Sequence, residues 1–340
     1  MESAADCLLI VGMHRSGTSM VAQACAAAGL SPGPEDELLS AQSDNPEGFF
    51  EHRDLVALND AMLEAAGGSW SVPPAQPDLA AVAREREQLL QHLASGGRPY
   101  FLKDPRLCLT AAAWYETLPA ARWLYVYRSP LAVARSLARR NHFSLQLGLQ
   151  LWEWYNRRAL EFLGERSFDA VSYDALAAGD VGVVDILGAL RQRGLSCEPG
   201  AAAQVFTPSL RHFDGDSGDG SELLTNSQRE LHEACQALCE RGGGAVALPA
   251  VQDEVLLARL RDSATALEPL ARTVETALER DDALALVAER TRERDSSLES
   301  LKTLEHDHDA LVKAHEEEKA SHREAAVILA RLEGEHERLA

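Results

Sequence analysis

Residues 7–19 read Cys-Leu-Leu-Ile-Val-Gly-Met-His-Arg-Ser-Gly-Thr-Ser, and this stretch decides the fold. Leu8 to Val11 form an apolar, β-prone run that is typical of a buried parallel strand. Two glycines then bracket a loop, since Gly12 allows a turn and Gly17 allows the backbone to approach a ligand closely. The free N–H groups of the helix that follows favour a negative charge in this loop. The stretch therefore predicts a strand, an anion-binding loop and a helix.

The loop has the glycine spacing of an ATP-binding loop but not its lysine. Gly12 and Gly17 are separated as in the Walker A motif, whereas Thr18 stands where that motif has lysine. The cation lies inside the loop instead, at Arg15. The sequence thus predicts a site for phosphate or sulfate and argues against ATP hydrolysis.

The composition indicates a globular chain, for which we expect no membrane span. Its 340 residues are 46% hydrophobic and 25% charged, and the apolar runs are short. The net charge of −20 repels the phosphates of nucleic acids, which argues against general nucleic-acid binding. The six cysteines follow neither zinc-site nor disulfide-framework spacing, and the N-terminus has no signal-type pattern. These features favour a reducing cytoplasm.

Strand-like and helix-like segments alternate over roughly the first 200 residues, which predicts a parallel sheet covered by helices. We expect an α/β fold, namely a three-layer sandwich with a central parallel sheet. Residues 1–272 are assigned to this domain and residues 273–340 to a charged helical tail. The predicted strands cover residues 8–11, 99–102, 123–127 and 168–172.

The tail lacks proline, has almost no glycine and alternates acidic with basic residues. Its leucines share one heptad register, which predicts a long helix with a weak coiled-coil seam that binds a second copy or a partner helix. Histidines in the same register lie too far apart along the helix axis to share a metal ion. A loop at 214–221 lacks the glutamate of a calcium loop and is predicted to be a linker. The leucines of the seam are Leu301, Leu304, Leu311, Leu329, Leu332 and Leu339.

Three cations come within a few residues of the ends of predicted strands: Arg15, Lys103 and Arg128. Ligands of open parallel sheets bind beyond the carboxyl ends of the strands, so these cations should line one pocket. Lys103 stands out because it is the only lysine before residue 302. A structural pairing with Asp104 is the alternative for this lysine. The pocket suits a ligand with more than one anionic group.

The loop Gly12-Met-His-Arg-Ser-Gly-Thr-Ser resembles the phosphosulfate-binding loop of sulfotransferases that use 3′-phosphoadenylyl sulfate (PAPS). The stretch Tyr125-Val-Tyr-Arg-Ser-Pro-Leu-Ala-Val-Ala-Arg-Ser is similar to the strand and helix that bind the 3′-phosphate in that family. Its arginine and serine are Arg128 and Ser136, about two helical turns apart, so both can meet one phosphate. The chain looks more like the bacterial and carbohydrate sulfotransferases than the cytosolic small-molecule type. It lacks the C-terminal Arg-Lys-Gly loop with which the latter type binds the nucleotide. Arg211 and His212 are the residues expected to replace that loop.

The resemblance implies transfer of a sulfuryl group from PAPS to a hydroxyl or amine, with a glycan as the expected acceptor and no metal. Lys103 and Arg15 are the expected stabilisers of the bridging and sulfuryl oxygens. The general base is expected at Glu51, with His52 and Glu47 as alternatives. The implied nucleotide-binding residues are Gly12, His14, Arg15, Ser16, Gly17, Thr18, Ser19, Arg128, Ser136 and Arg211.

Three questions stay open at this point. A P-loop kinase is a second possible function. Thr18 in place of the Walker lysine and the lack of a clear strand-end aspartate for magnesium argue against it, although Asp104 keeps it open. A scaffold that assembles partners through the tail is a third. An aromatic set either stacks on a sugar or packs a core: Phe49, Phe50, Trp70, Trp152, Trp154 and Tyr155.

Overall fold

The computed structural model describes residues 6–40, 48–204 and 221–265, and residues 313, 315, 318, 319, 321, 323–328 and 331–333 of the tail. The chain divides into two units, Met1–Ala271 and Arg272–Ala340. The described tail residues are helical and exposed. Several predictions lie outside the described residues: Glu47, Arg211, His212, the loop at 214–220 and, apart from Leu332, the leucine seam.

Four parallel strands form the sheet, in the order β2-β1-β3-β4. The register places Leu9 of the first strand between Leu102 and Trp123 of its two neighbours. The chain reverses its direction of travel across the sheet after β2, so the crevice between β1 and β3 is the switch point where such sheets bind ligands. The strands are β1 (Cys7–Val11), β2 (Tyr100–Lys103), β3 (Arg122–Tyr127) and β4 (Asp169–Ser172).

Helices cover the sheet, and residues 253–265 form a further helix after those that carry labels. Short 3-10 helices lie at Glu35–Glu37, Pro199–Gln204 and Ser221–Leu223. The labelled helices are α1 (Thr18–Ala27), α2 (Arg53–Ala65), α3 (Ala83–Ser95), α4 (Leu107–Thr117), α5 (Pro130–Asn141), α6 (Leu145–Leu163), α7 (Tyr173–Ala178), α8 (Val183–Gln192) and α9 (Asn226–Glu240).

Alternate residues of each strand enter two separate cores, as the period of a strand requires. Leu9 and Val11 pack with helices α2 to α6 and α9 on one face of the sheet. Leu8 and Ile10 pack with α1, α7 and α8 on the other face. The predicted three-layer α/β sandwich with a central parallel sheet is therefore confirmed.

Local sequence fixes where the helices next to the sheet edge begin. Pro130 occupies the first turn of α5, where its missing N–H costs nothing. Ser144 caps α6 by accepting a hydrogen bond from the N–H of Leu147. None of the helices within the described ranges combines the length and the apolarity needed to cross a bilayer.

Candidate active site

The loop between β1 and α1 depends on two glycines and on an arginine in the left-handed region. A Cβ on Gly12 would lie 2.4 Å from the carbonyl oxygen of Val126, so only glycine lets the loop pass against β3. Gly17 precedes α1 at φ 85°, and a Cβ there would lie 2.0 Å from the Tyr173 ring. Arg15 adopts φ 68°, which few residues with a side chain do. The loop thus turns sharply and leaves the start of α1 at the carboxyl edge of the sheet.

The cations that follow β1 and β3 meet at this edge. Arg128 donates through Nη1 to the carbonyl oxygen of Arg15 at 3.1 Å. Arg15 in turn donates through Nε to Oγ of Ser136 at 2.9 Å. The sequence predicted Ser136 to share a ligand with Arg128, and the structure brings all three residues together with Arg15 as the donor to the hydroxyl.

The start of α7 holds Arg128, and the sequence analysis missed this contact. The guanidinium carbon of Arg128 lies 4.5 Å from the centroid of the Tyr173 ring, and Nε lies 3.9 Å from Oδ1 of Asp174. Asp174 also accepts a hydrogen bond from the N–H of Ser129 at 3.0 Å. The signal was available, because Tyr173 and Asp174 directly follow the fourth strand at the same edge of the sheet.

Lys103 lies at the end of β2, and its side chain is only 2% exposed. Its Nζ donates to Oγ of Ser19 at 3.1 Å, to the carbonyl oxygen of Phe49 at 3.1 Å and to Oε1 of Glu51 at 2.5 Å. Burial raises the pKa of Glu51, and the positive charge of Lys103 opposes that rise. Two residues predicted as catalytic, Lys103 and Glu51, therefore form one buried ion pair.

Asp104 does not pair with Lys103. Its Oδ2 accepts from Nδ2 of Asn59 at 2.7 Å, and its Oδ1 accepts from Nη1 of Arg106 at 3.0 Å. The residue is fully buried, and both carboxylate oxygens have partners in the protein. The pairing of Lys103 with Asp104 is thus absent. Because both Asp104 oxygens already accept hydrogen bonds, the residue does not offer a free oxygen to the magnesium ion that a P-loop kinase needs.

His52 caps α2, and both of its ring nitrogens are used. The N–H of Asp54 donates to Nδ1 at 3.2 Å, so we assign the ring proton to Nε2, which donates to Oε2 of Glu37 at 2.8 Å. Nε2 of His92 is hydrogen-bonded to the same Glu37 carboxylate. Within the described residues, Glu37, His52 and His92 form a group whose possible metal-ligating atoms lie within 4.8 Å of one another. A metal at Nε2 of His52 requires the opposite tautomer. The group is therefore a satisfied hydrogen-bonded cluster beside the site.

His14 lies inside the anion-binding loop and packs against aromatic rings. Its ring centroid is 4.5 Å from that of Trp70 and 5.8 Å from that of Tyr155. Nε2 of His14 is buried and has no hydrogen-bond partner in the described part of the chain. Burial holds the pKa of this histidine well below its ordinary value, and four positive charges add to the effect, those of Arg106, Lys103, Arg140 and Arg15.

Two more buried polar atoms near the same edge lack a hydrogen-bond partner among the described residues, Oγ of Ser16 and Nε of Arg128. Proteins leave few buried polar groups unpaired, so these atoms are available to a bound ligand. These atoms belong to the two stretches that the sequence analysis assigned to nucleotide binding. The site can therefore provide polar contacts and positive charge to a ligand with several anionic groups.

The aromatic set named from the sequence divides into core and site residues. Trp152, Trp154 and Tyr155 are at most 1% exposed and belong to the core on one face of the sheet. Trp70 is half-buried and contacts the rings of both His14 and Phe143, with a centroid distance of 5.6 Å to the latter. Packing thus accounts for the tryptophans of α6, whereas Trp70 belongs to the site.

The segment that carries these residues matches a known protein family. The sequence model of the sulfotransferase family matches residues 8–187, which is more than half of the chain. This segment contains the anion-binding loop, Glu51, Lys103, Arg128 and Ser136. No curated protein matches the chain.

Two solved structures are similar to the chain. The sulfotransferase domain of the olefin synthase of Synechococcus PCC 7002 is 20% identical, with a TM-score of 0.38 over 74% of this chain and 92% of that one. The sulfotransferase STF1 of Mycobacterium tuberculosis is 13% identical, with a TM-score of 0.41 over 74% of this chain and 75% of that one. The assignment rests on the family match, whose span covers the site built above, and the chain belongs to the sulfotransferase family.

Proposed function

We propose that the chain transfers a sulfuryl group from PAPS to a hydroxyl or amine. The observation that carries this proposal is a set of cations at the carboxyl edge, where Arg128 contacts Arg15 and Lys103 contacts Ser19 at the start of α1, next to unpartnered buried atoms of the anion-binding loop and of Arg128. PAPS has anionic groups at both ends of its ribose. The site offers one positive charge at the end of β2, on Lys103, and another at the end of β3, on Arg128.

The loop is assigned to the 5′-phosphosulfate. Its backbone turns at Gly17 into the start of α1, where N–H groups and the helix dipole favour an anion. The hydroxyls of Ser16, Thr18 and Ser19 and the guanidinium of Arg15 are the side-chain contacts expected there. Arg128 and Ser136 are assigned to the 3′-phosphate, which explains an Nε of Arg128 that donates no hydrogen bond within the described chain.

Catalysis follows from positioned charge. The acceptor oxygen forms a bond to sulfur while the bond from sulfur to the bridging oxygen breaks, and the electron pair of that bond stays on the nucleotide phosphate. Lys103 is fixed by three oxygen acceptors beside the loop, so it can stabilise the growing charge without moving far. Arg15 is assigned the sulfuryl oxygens.

Glu51 was expected to be the general base, with His52 and Glu47 as alternatives. The carboxylate of Glu51 lies on Lys103, which supports a role in holding the ammonium. Its raised pKa keeps a second role as proton acceptor open to test. Both ring nitrogens of His52 have partners, which favours the cap of α2 as its role.

A glycan is the acceptor we propose, on the sequence resemblance. Six free thiols, five of them buried, fit a reducing compartment and hence a cytoplasmic protein. The tail is assigned to self-association or to a partner helix through its heptad leucines. Labelled sulfate transfer screened over glycans, peptides and lipids identifies the acceptor, and light scattering with and without residues 273–340 tests the tail.

Thermal denaturation with nucleotides tests the core of the proposal. PAP, the product form of the co-substrate, should raise the melting temperature, because a ligand at about 100 times its Kd stabilises the fold by about 2.7 kcal/mol. ATP with Mg²⁺ is the control and should stabilise less. Stabilisation by ATP and not by PAP supports a kinase, and no effect of either nucleotide supports a scaffold.

A further inference from the structure

Neighbouring residues of the anion-binding loop send their side chains to different partners. Arg15 donates to Ser136 of α5, whereas His14 packs against Trp70, which follows α2, and Tyr155 of α6. The left-handed backbone at Arg15, with φ 68°, accompanies this divergence. The ring contacts of His14 are therefore made with Trp70 and Tyr155, and not with the Arg15, Arg128 and Ser136 group that we assign to the nucleotide.

Aromatic packing fixes the position of the His14 ring. Trp70 covers it at 4.5 Å, and the hydroxyl of Tyr155 donates to the carbonyl oxygen of Trp70 at 2.6 Å. Phe143 also stacks on Trp70, with an interplanar angle of 24°. A histidine held this firmly, with a buried Nε2 that has no partner in the described chain, is prepared for a bond that another molecule supplies.

We propose that His14 is the proton acceptor for the acceptor hydroxyl and acts through Nε2, an inference that rests on the proposed sulfuryl transfer. As the hydroxyl oxygen bonds to sulfur and the bridging S–O bond breaks, the hydroxyl proton passes to Nε2. The electron pair of the broken bond stays on the 5′-phosphate of the departing PAP. The products are a sulfate ester, PAP and a protonated His14, which returns its proton to water.

The other expected bases are engaged in the structure. Oε1 of Glu51 accepts from Nζ of Lys103 at 2.5 Å, and His52 uses Nδ1 for the N–H of Asp54 and Nε2 for Glu37. Nε2 of His14, in contrast, is buried and has no hydrogen-bond partner in the described chain.

Nucleotide binding should convert His14 from a weak base into an effective one. In the free protein its pKa is low because of burial and because of the charges of Arg106, Lys103, Arg140 and Arg15, which approach it from the segment after β2, the end of β2, α5 and its own loop. Trp70 and Tyr155, the rings packed on it, are uncharged. Each phosphate of PAP adds a charge of about −1.5 to −2 among these cations, which favours the imidazolium.

Histidine-ring NMR of the full chain with and without PAP tests this inference and needs no acceptor. The variant His14→Gln assigns the His14 signal, and PAP affinity is measured by calorimetry. We expect the His14 pKa to rise by about one unit or more when PAP binds, since opposite charges at short range shift a pKa by this amount. Calorimetry in two buffers of different ionisation heat should show proton uptake in the wild type and not in His14→Gln.

The matched control is His142→Asn, which changes an exposed histidine at the end of α5, where φ is 55° and asparagine is tolerated. This control should retain the proton uptake. PAP should bind His14→Gln within about threefold of the wild type, because only one neutral contact is at stake. If His14→Gln does not fold, Trp70→Leu is the second variant. We expect it to keep the PAP affinity and to broaden the His14 signal.

The outcomes separate the two proposals. If the wild type does not bind PAP, the proposed function fails and this inference fails with it. If PAP binds and the His14 pKa does not rise, the inference alone is overturned. A loss of PAP affinity of about tenfold or more in His14→Gln also overturns it, because His14 is then a nucleotide ligand.

Discussion

Two corners of the sheet edge each carry a cation, Lys103 at the end of β2 and Arg128 at the end of β3. They differ in how many hydrogen-bond donors of the cation already have a partner in the protein. At the end of β2, Lys103 is 2% exposed and donates to three oxygens, one of them from Glu51. At the end of β3, the Arg128 side chain is 16% exposed, its Nε donates no hydrogen bond in the described chain, and the Asp174 carboxylate is 3.9 Å away. The first corner is a completed ion pair, and the second keeps unused donor capacity.

This difference separates a stability element from a binding element. Removal of one partner of a buried pair leaves the other charge desolvated, so the loss appears in the free energy of unfolding. A cation at a partly exposed corner contributes little to folding and can bind an incoming anion. Substitutions at the two corners should therefore change different measured quantities.

The largest effect is expected for Lys103→Met. The free energy of unfolding should fall by about 3–5 kcal/mol, because the Glu51 carboxylate stays buried without a partner. Urea denaturation followed by circular dichroism measures this loss. The double variant with Glu51→Gln should recover part of it, because neither charge remains. A loss below about 1 kcal/mol in Lys103→Met means that water already solvates the pair.

Arg128→Ala should affect binding. PAP affinity is expected to fall about ten- to a hundredfold, since a hydrogen bond to a charged group contributes about 1.5–3 kcal/mol. The free energy of unfolding should change by less than about 1 kcal/mol. Calorimetric titration with PAP measures the affinity, and Arg84→Ala, an exposed arginine on α3, is the control. Unchanged PAP affinity removes Arg128 from the 3′-phosphate site.

The pH dependence of stability tests the lowered pKa of His14. Its pKa is well below 6.5 in the folded chain and returns to its ordinary value on unfolding. Below about pH 6.5 the unfolded state then binds more protons, so stability decreases as the pH falls, by about 1.4 kcal/mol per unit of pKa difference. Melting temperatures from pH 5 to 7.5 (roughly one unit either side of the ordinary pKa) should fall less steeply in His14→Gln. Parallel curves for the two proteins contradict the lowered pKa.

The smallest effect is expected for Ser136→Ala. Arg15 loses the oxygen that accepts its Nε–H at 2.9 Å, and a single hydrogen bond is worth about 0.5–1.5 kcal/mol. PAP affinity should fall about two- to tenfold. The control is Ser95→Ala on α3, whose hydroxyl contacts only a backbone carbonyl. A loss as large as that of Arg128→Ala means that Ser136 binds the phosphate directly.

The fold and the place of the candidate site in it could be predicted from the sequence because both depend on local patterns. Apolar runs of strand length followed by glycine or a cation mark the carboxyl ends of parallel strands, and chain topology brings these ends together. The same rule covered Arg15, Lys103 and Arg128. It also extends to Tyr173 and Asp174 after β4, which are not cations but hold Arg128 at the same edge of the sheet.

Pairing between side chains could not be predicted in this way. Lys103 could have met Asp104 or Glu51, and only tertiary packing decides for Glu51, because Asn59 and Arg106 occupy the carboxylate of Asp104. The role of Trp70 was equally hidden, since a tryptophan in a long loop does not reveal that it packs on His14. Contacts of this kind depend on residues that are far apart in the chain.

The left-handed backbone at Arg15 has a consequence for protein engineering. Because His14 and Arg15 diverge at φ 68°, the wall beside His14 comes from Trp70 and α6, while the contacts of Arg15 come from α5 and Arg128. The segment between α2 and α3 that carries Trp70 contributes none of the nucleotide contacts proposed for this chain. We therefore expect variants confined to residues 66–78 to leave PAP binding intact, even where they change the surroundings of His14.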